Sequence, residues 1–337
     1  MIKVMNTERI EKDDGRLDLS LYMTKVINEL SEDKRYPAVH TYTSTLHSFA
    51  KFSCGAMPVN DVFTPGRLKE YEDWLLQRRL SWNTISTYMR TLQAVYNRLS
   101  PPGTPEHNAK LFDDVYTKVK SQTKRALTEE QMGRLLHTDL AVPCKKLQRA
   151  QAYFLLMFLL RGMPFIDLAH LRKRDVRDGR IVYRRHKTGK QITLRIPREA
   201  LPLLKEFKDK DAASLYLFPI LNDAPEGEDA LYGYYQKALR NFNKMLGALA
   251  KRLLPGIRIS SYTARHTWAT LAYHMGMPVG IICQALGHSS VRVTETYLKP
   301  FENEKVDKAN RKLISAVGKY GGRSRECFNL LQDMVLR

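Results

Sequence analysis

The chain is short of the residues that build covalent staples and metal cages. Its four cysteines, Cys54, Cys144, Cys283 and Cys327, lie far apart and form no Cys-x-x-Cys pair, so neither a disulfide framework nor a zinc site is indicated. The nine histidines form no His-Glu-x-x-His cluster. No glycine-rich loop ends in Lys-Ser or Lys-Thr, and we expect no metal and no nucleotide cofactor. Long apolar runs are missing too. The longest, Ala152 to Leu160, falls well short of the roughly 20 residues a membrane span needs and reads as a buried core helix. Met1-Ile2-Lys3 leads into polar sequence rather than the apolar core of an export signal, so we expect a cytoplasmic protein.

Negative charge is the remaining shortage. The chain sets 35 Asp+Glu against 55 Lys+Arg, a formal net charge of +20. That excess points to a polyanionic partner, nucleic acid before an anionic membrane surface. The 337 residues are enough for two domains, each able to bury its own core.

Residues 1–16 are polar, without period, and read as a mobile tail. From Leu17 the apolar spacing turns helical, with Leu21, Val26 and Leu30 in one segment and Val39, Tyr42, Leu46, Phe49 and Phe52 in the next. Thr64-Pro65 caps and opens a third helix through Leu68, Tyr71 and Leu75, and Asn83 caps a fourth that runs to Leu99. Residues 17–100 therefore make a small four-helix domain. The run Ser100-Pro101-Pro102-Gly103-Thr104-Pro105 continues no helix and opens a linker, 101–126, with room for one short helix. Thr128 and Gln131 form a capping box that starts a second domain, 127–300, around the apolar helix ending at Leu160.

Residues 161–200 are the densest basic block of the chain. Ile181-Val182-Tyr183 and Gln191 to Ile196 flank Lys187-Thr188-Gly189-Lys190 as a two-stranded hairpin with a glycine turn. Its tip displays Arg184, Arg185, Lys187 and Lys190, which suits a phosphate backbone and also suits a soluble edge hairpin. Helices are expected next at Leu201–Phe207 and Tyr232–Lys251.

The most informative stretch runs from Arg258 to Pro300. Ser261 or Thr263 caps a helix that carries Arg265 and His266 in its first turn and stops at Gly276. Pro278 opens a shorter helix, Gly287 supplies a left-handed C-terminal residue, and His288 sits just beyond. Tyr297 lies nine positions later. Each piece alone has a bland structural reading. Jointly, Arg265-His266, Leu286-Gly287-His288 and Tyr297 resemble the signature of the tyrosine recombinases, the lambda-integrase-type site-specific recombinases.

The resemblance spans Leu17 to Pro300 and implies a mainly α, two-domain DNA clamp. In it, a four-helix core-binding domain precedes a mainly helical catalytic domain with a small antiparallel β-sheet. It implies that Tyr297 attacks the scissile phosphate to give a 3′-phosphotyrosyl link, without metal or ATP. Arg265 would grip the non-bridging oxygens, His288 would donate to the phosphate or steady Tyr297, and Lys187 would protonate the leaving 5′-oxygen. Two positions depart from the family. In Arg161-Gly162-Met163-Pro164-Phe165-Ile166-Asp167, Pro164 stands where the first arginine is usual, as in a subset of mobile-element integrases with the Arg-Gly-Met wording. Tyr262 stands where the His-x-x-Arg histidine is usual; its hydroxyl can still bond a phosphate or pass a proton.

We expect Arg185 to supply the missing charge, since residues two apart on a strand share a face and Lys187 would carry Arg185 with it. Arg161, on the helix before Pro164, would point away. Arg184 and Lys190, with Arg78, Arg79, Arg90 and Arg98 of the first domain, are candidate DNA contacts; the last four fit a solvated face equally well. The implied partners are double-stranded DNA at specific recombination sites and further copies of the chain, as a tetramer on two sites, leaving room for accessory DNA-bending factors. Residues 302–317 form a further helix. In the tail 301–337, Phe328, Leu331 and Val335 beyond Gly321-Gly322 form an apolar face that packs on a neighbouring protomer or on its own domain. A type IB topoisomerase and a catalytically dead DNA-binding or architectural protein are the alternatives.

Overall fold

The computed structural model describes residues 17–118, 126–138, 144–298, 300–301 and 303–318. The tail residues Phe328, Leu331 and Val335, with Gly321-Gly322, lie outside this range. Two compact units emerge. One takes the chain up to Gln122 together with Ala224–Tyr234, and the other takes Thr123–Asp223 and the chain from Tyr235 on.

The first unit is all helical: α1 (Leu19–Glu32), α2 (Tyr36–Ser53), α3 (Val59–Val62), α4 (Pro65–Gln77) and α5 (Trp82–Leu99). The single-turn α3 makes five helices where the sequence suggests four. Asp18 caps α1 and Thr64 caps α4 ahead of Pro65. Helix α5 starts earlier than expected: its cap is Ser81, whose hydroxyl accepts the Thr84 N–H, and Asn83 already lies inside the helix. Leu21 also corrects the expected phase. It is 40 % exposed, while Leu19, Met23, Val26 and Leu30 bury the other stripe of α1.

Phe49, Tyr71, Leu75, Met89 and Leu92 centre the core of this unit. Leu111, Phe112 and Val115 join it from irregular turns rather than a short helix. Buried Glu72 fixes the end of that segment by accepting the Tyr116 N–H at 2.6 Å.

The second unit starts with α6 (Glu129–His137) behind the Thr128–Gln131 capping box, as expected. Next comes α7 (Lys145–Leu159), whose residues from Ala150 to Met157 are all buried. Chain 160–164 is not helical. Arg161 and Gly162 adopt left-handed backbone, with φ of +59° and +65°, and Pro164 caps α8 (Phe165–His170). The expected helical phase of Arg161 therefore does not exist.

A three-stranded antiparallel sheet comes after α8, in the order β1 (Val176–Arg177), β2 (Arg180–Arg184), β3 (Gln191–Arg195). The hairpin is the one the sequence indicates, with Gly189 left-handed in its turn, and β1 adds a strand the sequence does not reveal. Ile181, Ile192 and Leu194 cover the core side.

Helices α9 (Leu201–Phe207), α10 (Glu228–Leu253), α11 (Ser261–His274), α12 (Val279–Leu286), α13 (Val291–Glu295) and α14 (Asn303–Gly318) complete the described chain. Helix α11 packs on α7. On α14, Val306, Leu313, Ile314 and Val317 are exposed. Among the described residues no helix is long and apolar enough to cross a membrane.

Leu92 is fully buried and Leu21 is not, so Leu92→Ala should destabilise the first unit by about 2–5 kcal/mol and Leu21→Ala by less than about 1 kcal/mol, as read by chemical denaturation.

Candidate active site

Helix α11 is capped by Ser260, one residue before Ser261 and three before Thr263, the two caps the sequence offers. The Thr263 hydroxyl accepts the Ser260 N–H at 2.9 Å, so Ser260 is the N-cap and Arg265 and His266 fall in the second turn. Arg265 faces inward and is 3 % exposed. Gly162 makes room for it: a Cβ there would stand 3.1 Å from Arg265 Cα. The Gly162 carbonyl in turn accepts from Arg265 Nη1 at 2.8 Å.

The C-terminus of α12 gathers the cations. Its Leu286 carbonyl accepts from Arg265 Nη2 at 2.6 Å and also from Arg185 Nη1, so one oxygen holds two guanidinium groups side by side. A helix C-terminus leaves its last carbonyls unpaired and carries partial negative charge, which suits both arginines. Gly287 ends the helix at φ +66°, and its missing side chain leaves space for Ile192 and the Arg185 stem. Asp167 supplies the countercharge. Its Oδ2 lies 2.9 Å from Arg185 Nε, and its Oδ1 accepts the His186 N–H at 2.9 Å. Burial raises the Asp167 pKa against the opposing pull of the His186 N–H and then Arg185. Burial and then Arg185 lower that of Arg265. Two arginines against one carboxyl group leave the cluster with an excess of positive charge.

His288 is 8 % exposed and bonded through both ring nitrogens. Nε2 lies 2.8 Å from Arg265 Nη2 and Nδ1 lies 2.9 Å from Thr294 Oγ1. A guanidinium only donates, so Nε2 is the acceptor and the proton sits on Nδ1, donated to Thr294. Burial, then Arg265 and Arg185, push the His288 pKa down to about 3. Between about 3 and the ordinary 6.5 the unfolded chain binds the extra proton; the stability due to neutral His288 is therefore complete above 6.5 and is lost as pH falls toward 3.

Tyr297 is half-buried just beyond α13. Its ring stacks on His288 with centroids 4.9 Å apart and lies 4.6 Å from the His266 ring, with Arg265 Cζ 5.6 Å from its centroid. Its carbonyl accepts from Thr270 Oγ1 at 3.2 Å and lies 3.4 Å from His266 Nδ1. The residue is thus held at both backbone and ring by the helix that carries Arg265.

The structure brings Arg185, Arg265, His288 and Tyr297 together. Arg185 arrives by another route than expected: β2 ends at Arg184, so Arg185 is buried beside Asp167 while Lys187 is exposed in the turn, and the two share no strand face. Lys187 and Lys190 still act electrostatically on His288. Tyr262 is 61 % exposed, and partial burial, with Tyr297 as the lesser cause, raises its pKa. Arg184 is exposed and donates to the Gly189 carbonyl.

In the first unit Arg78, Arg79, Arg90 and Arg98 are all exposed. Arg78 lies over Trp74, Arg90 turns back to the Ser86 carbonyl, and Arg98 pairs with Glu29 at 3.1 Å. Sequence reasoning missed Thr294 and the anchoring role of Asp167. Six residues separate His288 from Thr294, and only the α13 turn brings them together. Among the described residues no three His, Cys, Asp or Glu side chains converge as a metal cage.

Comparison with known proteins places the chain in a family. Residues 125–304 match the profile described as the phage integrase family, and residues 18–98 match the phage integrase SAM-like domain. The tyrosine recombinase XerA of Pyrococcus furiosus is 26 % identical over 204 residues, 57 % of this chain and 64 % of its own. XerA of Thermococcus onnurineus is 31 % identical over 185 residues, 54 % of this chain and 60 % of its own. The chain thus spans less than two thirds of the length of these relatives.

Two solved structures share the fold. The Tn1549 transposon integrase in complex with transposon right-end DNA has a TM-score of 0.60 at 14 % identity, covering 88 % of this chain and 100 % of that one. XerH recombinase bound to its difH substrate has a TM-score of 0.59 at 16 % identity, covering 82 % and 81 %. With more than half of its length inside the first profile, the chain belongs to the phage integrase family.

Proposed function

We propose that the chain is a site-specific DNA recombinase that cuts and rejoins strands through Tyr297, integrating or excising a mobile element or inverting a DNA segment. The observation that carries this reading is a tyrosine seated in its own site against Arg265 and His288, with Arg185 on the same Leu286 carbonyl. The Tyr297 oxygen attacks phosphorus, the bond to the 5′-oxygen breaks, and that oxygen takes a proton from Lys187. The phosphotyrosyl bond conserves the energy, and attack by a 5′-hydroxyl reverses the steps. Arg265 and Arg185 neutralise the charge that builds on the non-bridging oxygens. Tyr262 bonds the phosphate or passes on the Tyr297 proton.

Neutral His288, fixed by Thr294, orients Arg265 and backs the Tyr297 ring rather than donating to the phosphate from Nε2. A second arginine at the cluster removes the reason to read Pro164 as a lesion, so the dead-enzyme alternative loses its main support. Residues 17–100 would serve as the core-binding half of a DNA clamp and 127–300 as the catalytic half, joined by 101–126. The protein would work in the cytoplasm. The exposed apolar residues of α14 support self-association, in the form of a tetramer on two sites.

Three measurements test this reading. On a library of nicked duplexes with randomised cores, wild type should form a covalent adduct whose nucleotide remnant maps to Tyr297 by mass spectrometry. Tyr297→Phe should form none and Tyr273→Phe should match wild type; an undiminished adduct in Tyr297→Phe refutes the assignment.

Arg185→Ala should slow cleavage by about 10²–10³-fold with little loss of DNA binding, whereas Arg184→Ala should leave cleavage nearly unchanged. Equal, mild losses from both would remove Arg185 from the reaction.

Thr294→Val should slow cleavage at least about tenfold and change the ¹⁵N pattern of the His288 ring, and Thr294→Ser should restore both. In wild type that pattern should report a proton on Nδ1 and no titration between about pH 5 and 8. A proton on Nε2 would overturn the assigned role.

A further inference from the structure

The solvent face of the β-sheet carries a charge pattern that the catalytic cluster does not use. Register sets Arg177 opposite Arg180 and Arg180 opposite Arg195. Directly opposed residues of an antiparallel pair lie on one face about 4.5–5.5 Å apart, so three arginines form a row across the whole sheet. The alternate positions Ile181, Ile192 and Leu194 face the core, which fixes the row on the outer side. Arg184 lies four residues along β2 on that same face, about 13 Å away at ~3.3 Å per residue.

Nothing within the sheet balances these charges. The three strands contain no acidic residue. Among the described residues no ion pair involves Arg177, Arg180 or Arg195, and Arg177 donates only to the Arg174 carbonyl. Like charges placed directly opposite destabilise a ladder. Charged residues do guard exposed sheet edges, but β2 is the central strand, so edge protection does not account for Arg180. An anion seated on the row would relieve this repulsion. A small anion would satisfy one pair, whereas the spread from the row to Arg184 covers several phosphates of one strand at ~3.4 Å of axis each.

We propose that this face is a second DNA contact, a track for the sugar–phosphate backbone beside the segment that enters the catalytic cluster. Arg177, Arg180 and Arg195 hold phosphates at one end and Arg184 holds one nearer the hairpin tip. The contact is independent of base sequence, since arginine rows on an open sheet face meet phosphates rather than base edges. The proposal rests on the recombinase reading only in taking DNA as the ligand.

The test is the salt dependence of binding to a fluorescein-labelled random-sequence duplex of about 30 base pairs, which requires no cleavage. The double variant Arg180→Thr/Arg195→Thr should bind more weakly, and its slope of log K against log salt should be shallower by about 1–2. It should also melt no lower than wild type, because a repulsive pair is gone. An unchanged slope overturns the proposal and leaves the row to some other acidic partner. Arg177→Thr, at an edge strand, serves as the single-site check should the double variant fail to fold, and an unchanged slope there is equally decisive. Loss of the Tyr297 adduct assignment would sink the recombinase reading while leaving the salt measurement intact.

Discussion

One carbonyl oxygen organises the site. The Leu286 carbonyl is the last of its helix, and two guanidinium groups that repel each other meet on it. Neither arginine could hold that position alone. Arg265 needs the Gly162 carbonyl and the His288 lone pair, and Arg185 needs Asp167. Each of those partners comes from a different element, so the cluster forms only when α8, α11, α12 and the hairpin are packed together. Removing a buried charge partner is costly because the other charge is left uncompensated in a medium that screens it poorly. The same poor screening would strengthen the pull of the two cations on an anion.

Glycine is needed at two places in this arrangement. Gly162 and Gly287 both adopt left-handed backbone, and both lie against an arginine stem. The chain turns there because it must, and the missing side chain is what lets the cations approach. His288 then occupies the first position after the turn, where its ring bridges Arg265 and Thr294. Its neutrality comes from being surrounded by positive charge in a buried place, and that neutrality makes it an acceptor for an arginine.

Much of this was legible in the sequence. Arg265, His288 and Tyr297 stand out jointly through their resemblance to the tyrosine recombinase signature, while Gly276, Pro278 and Gly287 mark where the helices between them end. The basic hairpin was visible from alternation around Gly189. Caps were harder to read, since Ser260, Ser261 and Thr263 can all cap, and only the reciprocal Ser260–Thr263 bond decides among them. Leu21 misled because leucine on either side of a helical stripe looks alike until the opposing helix is known. Arg185 was reached from strand parity, yet the strand ends one residue before it. Asp167 and the end of α12 draw it in, and neither contact has a trace in local sequence. The arginine row across the sheet was invisible for a related reason: β1 is two residues long and reveals itself only by pairing.

The attachment of Tyr297 has a mechanical meaning. Its carbonyl is fastened to Thr270, and its ring leans on His266, both from α11. The stretch between them, with α12 and α13, is thus an excursion that leaves α11 and is clasped back onto it. A pull on the tyrosine would pass into α11 and through it to α7 in the core. The last described helix, α14, follows Phe301, whose ring packs on Tyr273 and His274 of that same α11.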